Sequence, residues 1–141
     1  MRRNFLPILG LLSLFVLGSC SADRDPKIAS LKHAVEVADS QLLDAAAELD
    51  TTNCFPRSLM PKFRAVDAKD WTSGFFPGSL WQCYRFTGDE ELLAEARKYT
   101  DRLEGIQYYK GTHDLGFMVF CSFGQQMETL HDQHSEEVIV E

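Results

Sequence analysis

The stretch P-G-S-L-W-Q-C-Y-R-F-T-G-D-E-E-L-L-A-E-A-R-K-Y-T-D-R-L, Pro77–Leu103, decides the fold. Leu80, Trp81, Tyr84 and Phe86 follow Pro77-Gly78 at helical spacing, and Leu92, Leu93, Ala96, Tyr99 and Leu103 repeat the pattern. Thr87-Gly88-Asp89 stands between the two runs. Glycine enters the left-handed conformation that ends a helix, and an aspartate can accept the free N–H groups that begin one. Two helical runs joined by so short a turn form an antiparallel αα-hairpin.

Working outward, Ile28, Leu31, Val35, Ala38, Leu42, Ala45 and Leu49 form a stripe with a period near 3.6, and Asp25-Pro26 supplies a cap and a first-turn proline ahead of it. Residues 51–70 carry Pro56, Pro61 and scattered charges without a period, and read as a long loop. A second loop covers residues 105–113. A further helix starts near Asp114 and runs through Phe117, Val119, Phe120 and Phe123. Ser135-Glu136-Glu137 reads as one more helix start, with Val138, Ile139 and Val140 as its first apolar residues; a helix that stops there is marginal alone, so the chain reads as truncated. No strand alternation is found. The expected class is all-α, built from successive hairpins.

The chain has 141 residues, with Lys+Arg 14 against Asp+Glu 21 and a net charge of −7, while 45% of its residues are hydrophobic. That is too apolar for a disordered chain. An acidic balance without a Lys/Arg run argues against nucleic acid as a partner, since phosphate binding needs clustered positive charge.

Arg2 and Arg3 precede an apolar stretch, Phe5 to Gly18, that is too short to span a membrane and suits a signal peptide. Leu17-Gly18-Ser19-Cys20 reads as a lipobox, whose small residues admit a signal peptidase and whose cysteine would carry the lipid. At about 0.8 kcal/mol per buried CH₂, several acyl chains hold a protein on a membrane where one does not. The expected organisation is a lipoprotein signal over residues 1–19, the lipidated Cys20 and a tether over 20–27, and a helical domain segment over 28–141. An ordinary secretory signal with a chance cysteine is the alternative. Ser21, in place of an aspartate, favours the outer membrane of a bacterial envelope. Cys54, Cys83 and Cys121 are too widely spaced for a zinc site and read as small buried apolar side chains.

Two segments are unusual for core packing alone. Trp71-Thr72-Ser73-Gly74-Phe75-Phe76-Pro77-Gly78 gathers aromatics and glycines at a helix mouth, where sugar C–H groups could stack on ring faces; a hydrophobic staple is the other reading. Thr112-His113-Asp114-Leu115-Gly116-Phe117 puts a carboxylate where a helix cap belongs, so Asp114 is either a cap or a catalytic acid. His113 is either a hydrogen-bond donor in a pocket or a half-buried loop histidine. His131 and His134 flank Asp132 with metal-like spacing, but a solvated polar face explains them as well.

The lipobox and the long first helix, together with W-T-S-G-F-F-P-G-S-L-W (Trp71–Trp81) and H-D-L-G-F-M-V-F-C-S-F-G (His113–Gly124), resemble glycoside hydrolase family 88, the unsaturated glucuronyl hydrolases. The resemblance runs from about Ile28 to Glu141. It implies a partial (α/α)6 barrel: the first two helical hairpins and the start of a third. It also implies removal of 4,5-unsaturated uronic acid from the non-reducing end of lyase-generated, glycosaminoglycan-type oligosaccharides, with no metal and no organic cofactor. The chemistry is hydration of a vinyl ether and not the paired-carboxylate displacement of ordinary glycosidases.

By the same resemblance Asp114 matches the first of two active-site aspartates, His113 lies beside it, and Trp71 walls the unsaturated sugar. The second aspartate, the proton donor, would lie beyond Glu141, so this chain alone is expected to be inactive. Two alternatives stand beside this reading. One is the related unsaturated rhamnogalacturonyl hydrolases; the other is a lipid-anchored helical protein that binds sugar or a partner without catalysis.

Overall fold

A computed structural model describes residues 25–58 and 62–141. The signal segment and the lipidation expected at Cys20 lie outside the described residues. Helix α1 spans Pro26–Glu48, α2 Phe75–Thr87 and α3 Glu90–Asp101. A 3₁₀ turn at Ile106–Tyr108 leads to α4, Leu115–Val119, which continues through a π turn at Phe120–Gly124 into α5, Gln125–Leu130; α6 is Gln133–Val140.

The hairpin read from Pro77–Leu103 is present. Gly88 ends α2 with φ 72°, and the Asp89 carboxylate accepts the Glu91 N–H at 2.8 Å. The α2 helix begins at Phe75, two residues before the proline, because a turn at Thr72–Gly74 runs directly into it. Trp81 and Leu80 from α2 interdigitate with Leu92, Ala96 and Tyr99 from α3, all fully buried. Two polar groups buried with them are paired: Trp81 Nε1 donates to Thr100 Oγ1 at 3.0 Å, and the Tyr99 hydroxyl donates to the Ala46 carbonyl at 3.2 Å. Unpaired, each would cost about 1–3 kcal/mol.

Asp25 caps α1 as expected, accepting the Lys27 N–H at 2.8 Å, and the helix thereby takes in Pro26 and Lys27, which the tether was expected to hold. Only the later half of its stripe is used. Ala38, Leu42 and Ala45 pack on the core, whereas Leu31 is 66% exposed.

The expectation of a featureless loop over residues 51–70 is corrected. β1, Phe55–Ser58, pairs antiparallel with β2, Arg64–Val66, with Phe55 opposite Val66 and an irregularity before Ser58. Two strands alone are marginal in water. These are held by Phe55, fully buried edge-on to Tyr99 at 5.7 Å, and by an ion pair from Arg57 to Asp70 at 2.5 Å. The pairing depends on tertiary contacts and is too short to leave an alternating pattern.

Helix α2 meets the α4–π segment unusually closely. A Cβ at Gly74 would stand 2.5 Å from the Phe117 and Met118 carbonyl oxygens, and one at Gly78 would stand 2.6 Å from that of Cys121. Side chains are absent there because backbone occupies the space. In the π turn the Ser122 hydroxyl donates to the Met118 carbonyl at 2.6 Å, a back-bond that suits a widened turn. The last helix starts at Gln133 and not at Ser135, because Asp132 is its cap and accepts the Ser135 N–H at 2.8 Å.

Candidate functional site

Asp114 occupies the cap position of α4, yet its side chain makes no capping hydrogen bond; its backbone is at φ −90°, ψ 15°. One carboxylate oxygen accepts from Thr112 Oγ1 at 3.3 Å, and the other lies 3.5 Å from His113 Nε2. The Asp114 N–H donates back to Thr112 Oγ1 at 3.1 Å, which fixes the loop ahead of the helix. The capping role that a carboxylate at this position would ordinarily fill is therefore unfilled. Asp114 is partly sheltered, its side chain 24% exposed, while the His113 side chain is 96% exposed. His113 is not the half-buried loop histidine of one reading.

Trp71 sits in the turn that opens α2. The Asp70 carboxylate accepts the Thr72 N–H at 3.0 Å and its hydroxyl at 2.6 Å, and the Ser73 hydroxyl donates to the Ala68 carbonyl at 2.9 Å. Burial works to raise the Asp70 carboxyl, but the Thr72 hydrogen bonds and the Arg57 charge outweigh it and hold the group below the usual carboxylate range. Asp70 stays ionised and ties the Trp71 turn to the β-hairpin.

From that turn Trp71 reaches two phenylalanines. Its ring lies 5.9 Å from Phe75 at 89° and 6.3 Å from Phe117 at 59°; Phe75 and Phe117 are 5.7 Å apart at 35°. Phe117 is one helical turn beyond Asp114, and its N–H donates to the Asp114 carbonyl at 2.9 Å. The structure thus brings the Trp71 turn and the Asp114 turn to one mouth, formed by the N-terminal ends of α2 and α4. Phe75, Thr112 and Phe117 lie in the two segments read from the sequence but were given no site role of their own, and Asp70 was not singled out. Asp70 next to Thr72 and Thr112 next to Asp114 were the available signals, since Asp and Thr two residues apart commonly close such turns.

A groove of about 1050 Å³ lies between α1, the β-hairpin and α2, lined by residues such as Leu42, Ala45, Phe63, Phe76 and Cys83. It shares Phe75 with the mouth but contains neither Trp71 nor Asp114. Cys54, Cys83 and Cys121 are free thiols. His134 contacts Glu104 at 2.8 Å, and His131 ends α5 at φ 54°. Among the described residues no group of three or more His, Cys, Asp or Glu is placed to hold a metal ion.

No protein-family model matches the chain. The unsaturated glucuronyl hydrolase of Formosa agariphila is 44% identical over 93 residues, which cover 63% of this chain and 23% of that protein. The enzyme of the same name from Bacillus sp. (strain GL1) is 32% identical over 87 residues, covering 57% and 22%. Among solved structures, an unsaturated glucuronyl hydrolase specific for heparin superimposes with a TM-score of 0.63 at 37% identity, over 74% of this chain and 29% of its own. The chain is related to the unsaturated glucuronyl hydrolases, glycoside hydrolase family 88.

It spans less than a quarter of the length of these two sequence relatives within the matched segments. The unsaturated glucuronyl hydrolase of Streptococcus agalactiae superimposes with a TM-score of 0.65 at 26% identity, over 77% of this chain and 30% of its own. The family's structures are (α/α)6 barrels, and α1–α6 form part of one. Within it, α2 with α3 and the α4–α5 helix with α6 are successive hairpins, and α1 packs against the first of them.

Proposed function

We propose that this segment supplies the first catalytic carboxylate of a glycoside hydrolase that removes 4,5-unsaturated uronic acid from lyase-generated, glycosaminoglycan-type oligosaccharides. The observation that carries the reading is the Asp114 side chain, which stands at a helix start without capping it, beside an aromatic wall that includes Trp71.

The reaction balances without an added oxidant or reductant. A proton adds to C4 of the vinyl ether, and positive charge develops at C5 and the ring oxygen. Water adds to C5 and gives up a proton to a base, forming a hemiketal. The bond from C5 to the ring oxygen then breaks, leaving a ketone at C5 and a hemiacetal at C1 that releases the remaining sugar. In this scheme Asp114 contacts the reacting carbons and stabilises the cationic stage as a carboxylate, held in direction by Thr112; one preorganised electrostatic group of this kind contributes typically about 10²–10³-fold. Trp71 walls the unsaturated ring, and His113 donates to it from the rim. Cys20 anchors the protein to the bacterial envelope, with the outer membrane favoured by Ser21.

The test is Asp114→Asn in protein expressed from its whole reading frame. Turnover of an unsaturated disaccharide, followed by loss of the ultraviolet absorbance of the conjugated double bond, should fall by at least about 10²-fold. The thermal melt should be unchanged, because the carboxylate caps nothing. Turnover equal to wild type would remove Asp114 from the reaction.

A further inference from the structure

The chain carries a net charge of −7, yet the loops around the mouth are basic. Lys62 and Arg64 belong to the β-hairpin, Lys69 stands just before the Trp71 turn, and Lys110 just before the Asp114 turn. All four are exposed. Among the described residues none of them makes an ion pair, whereas Arg57 in the same hairpin is engaged with Asp70 at 2.5 Å. Lys69 joins the two loops, its ammonium 5.7 Å from the centre of the Tyr109 ring. It also lines a hollow of about 310 Å³ with Leu103, Ile106 and Tyr108, and that hollow contains none of Trp71, Asp114 and Phe117. The carboxylates nearby have partners: Asp67 accepts the Lys69 N–H at 2.8 Å, Glu104 meets His134 at 2.8 Å, and Glu141 accepts from Tyr108. Unpaired cations on an acidic protein, grouped on the loops that lead to one mouth, form a local field that an anion completes.

We propose that Lys62, Arg64, Lys69 and Lys110 form a basic rim that holds the anionic groups of sugars beyond the first disaccharide, so that longer acidic oligosaccharides bind better than disaccharides. This rests on the hydrolase reading of Asp114. The ligand chemistry is a carboxylate or a sulfate on an extended sugar chain. Placement directs it there: the unsaturated ring belongs with Trp71 and Asp114, and the hollow beside Lys69 contains neither residue. Charge directs it too. The protein as a whole repels a polyanion, so a local excess of cations must bring it in, acting over about 10 Å at 0.1 M ionic strength. Exposed ion pairs are individually weak, so the effect belongs to the group, at about twofold per cation in low salt.

The experiment measures binding by calorimetry in the Asp114→Asn background, with protein expressed from its whole reading frame. Three probes are compared: an unsaturated uronate–N-acetylhexosamine disaccharide, the matching tetrasaccharide, and that tetrasaccharide carrying sulfate. A tetrasaccharide should bind more tightly than the disaccharide, and the gap should close as salt rises from about 0.02 M to about 0.5 M. Lys62→Gln, Arg64→Gln, Lys69→Gln and Lys110→Gln together should weaken the tetrasaccharide about tenfold and the disaccharide less than about threefold. Exchanging lysine for arginine and arginine for lysine at the same positions should restore binding. Dependence on the rim by the plain tetrasaccharide identifies the carboxylate, and dependence by the sulfated one alone identifies the sulfate; either supports the rim. Equal weakening of both lengths would place the cations at the unsaturated ring and overturn the assignment. Normal tetrasaccharide binding with a lower melting temperature would mean that the cations serve the fold, and would overturn it too. So would loss of binding to phosphatidylglycerol vesicles with oligosaccharide binding intact, since the rim would then face the membrane. If wild-type protein bound the probes but left their double bonds intact, the hydrolase reading would fail while the rim stood. If the glutamine variant bound normally in an otherwise active enzyme, the rim alone would fail.

Discussion

Gly74→Ala tests the contact on which the whole mouth depends. The added Cβ would lie 2.5 Å from two carbonyl oxygens and 2.8 Å from the Met118 Cα, where ordinary contact begins near 3.4 Å. The obstacles are backbone atoms, so no side chain can swing aside, and the helix mouths must part by most of an ångström. Overpacking of this kind costs about 1–3 kcal/mol. The usual gain of alanine over glycine in a helix offsets little, because Gly74 is at the cap position, where alanine is the poorer residue. A net loss of about 2 kcal/mol is expected, which at a urea m value of about 2 kcal/mol/M lowers the unfolding midpoint by about 1 M. Gly116→Ala is the control: nothing lies within 4 Å of its Cβ, so the midpoint should hold or rise. Parting the mouths also separates the Phe75 ring from that of Phe117. If Gly74→Ala unfolded at the same urea concentration as Gly116→Ala, the close approach of α2 to α4 would be refuted.

Two further outcomes follow from titrating groups. Glu104 accepts a hydrogen bond from the His134 ring and raises its pKa above the ordinary 6.5. The stabilisation is therefore complete below pH 6.5 and is lost as the pH rises through the folded-state value; both groups are more than half exposed, so the effect is small. An NMR titration should find the His134 pKa lower in Glu104→Gln, and an unchanged value would refute the pairing. Burial, with Asp39 alongside, pushes the Cys83 thiol up to about 11, so little thiolate exists at pH 8. In folded protein iodoacetamide should label the part-exposed Cys54 well before Cys83; equal rates would contradict the buried placement of Cys83.

The elements legible in the sequence share one property: their signals are local. The α2–α3 hairpin rests on Gly88, the only residue type that enters φ 72° freely, and on Asp89, which caps its own helix two residues away. The α1 helix follows from Asp25, Pro26 and the periodic stripe. Asp114 and Trp71 were visible as candidates because their residue types are costly or unusual where they stand. Whether Asp114 caps its helix depends on the direction of its side chain, which residue type and spacing leave open.

The remaining features depend on residues far apart in the chain. The β-hairpin exists because Phe55 is buried against Tyr99 and Arg57 pairs with Asp70, and neither contact leaves a period in residues 51–70. The aromatic mouth joins Trp71 and Phe75 to Phe117, some forty positions apart, through a glycine whose role is defined by the carbonyl oxygens it meets. The sequence by itself determined the helical hairpins, because capping and periodicity act within a few residues. Only the tertiary structure decided which aromatic rings share a mouth with Asp114 and which remain open, because that depends on how closely two helix backbones can approach.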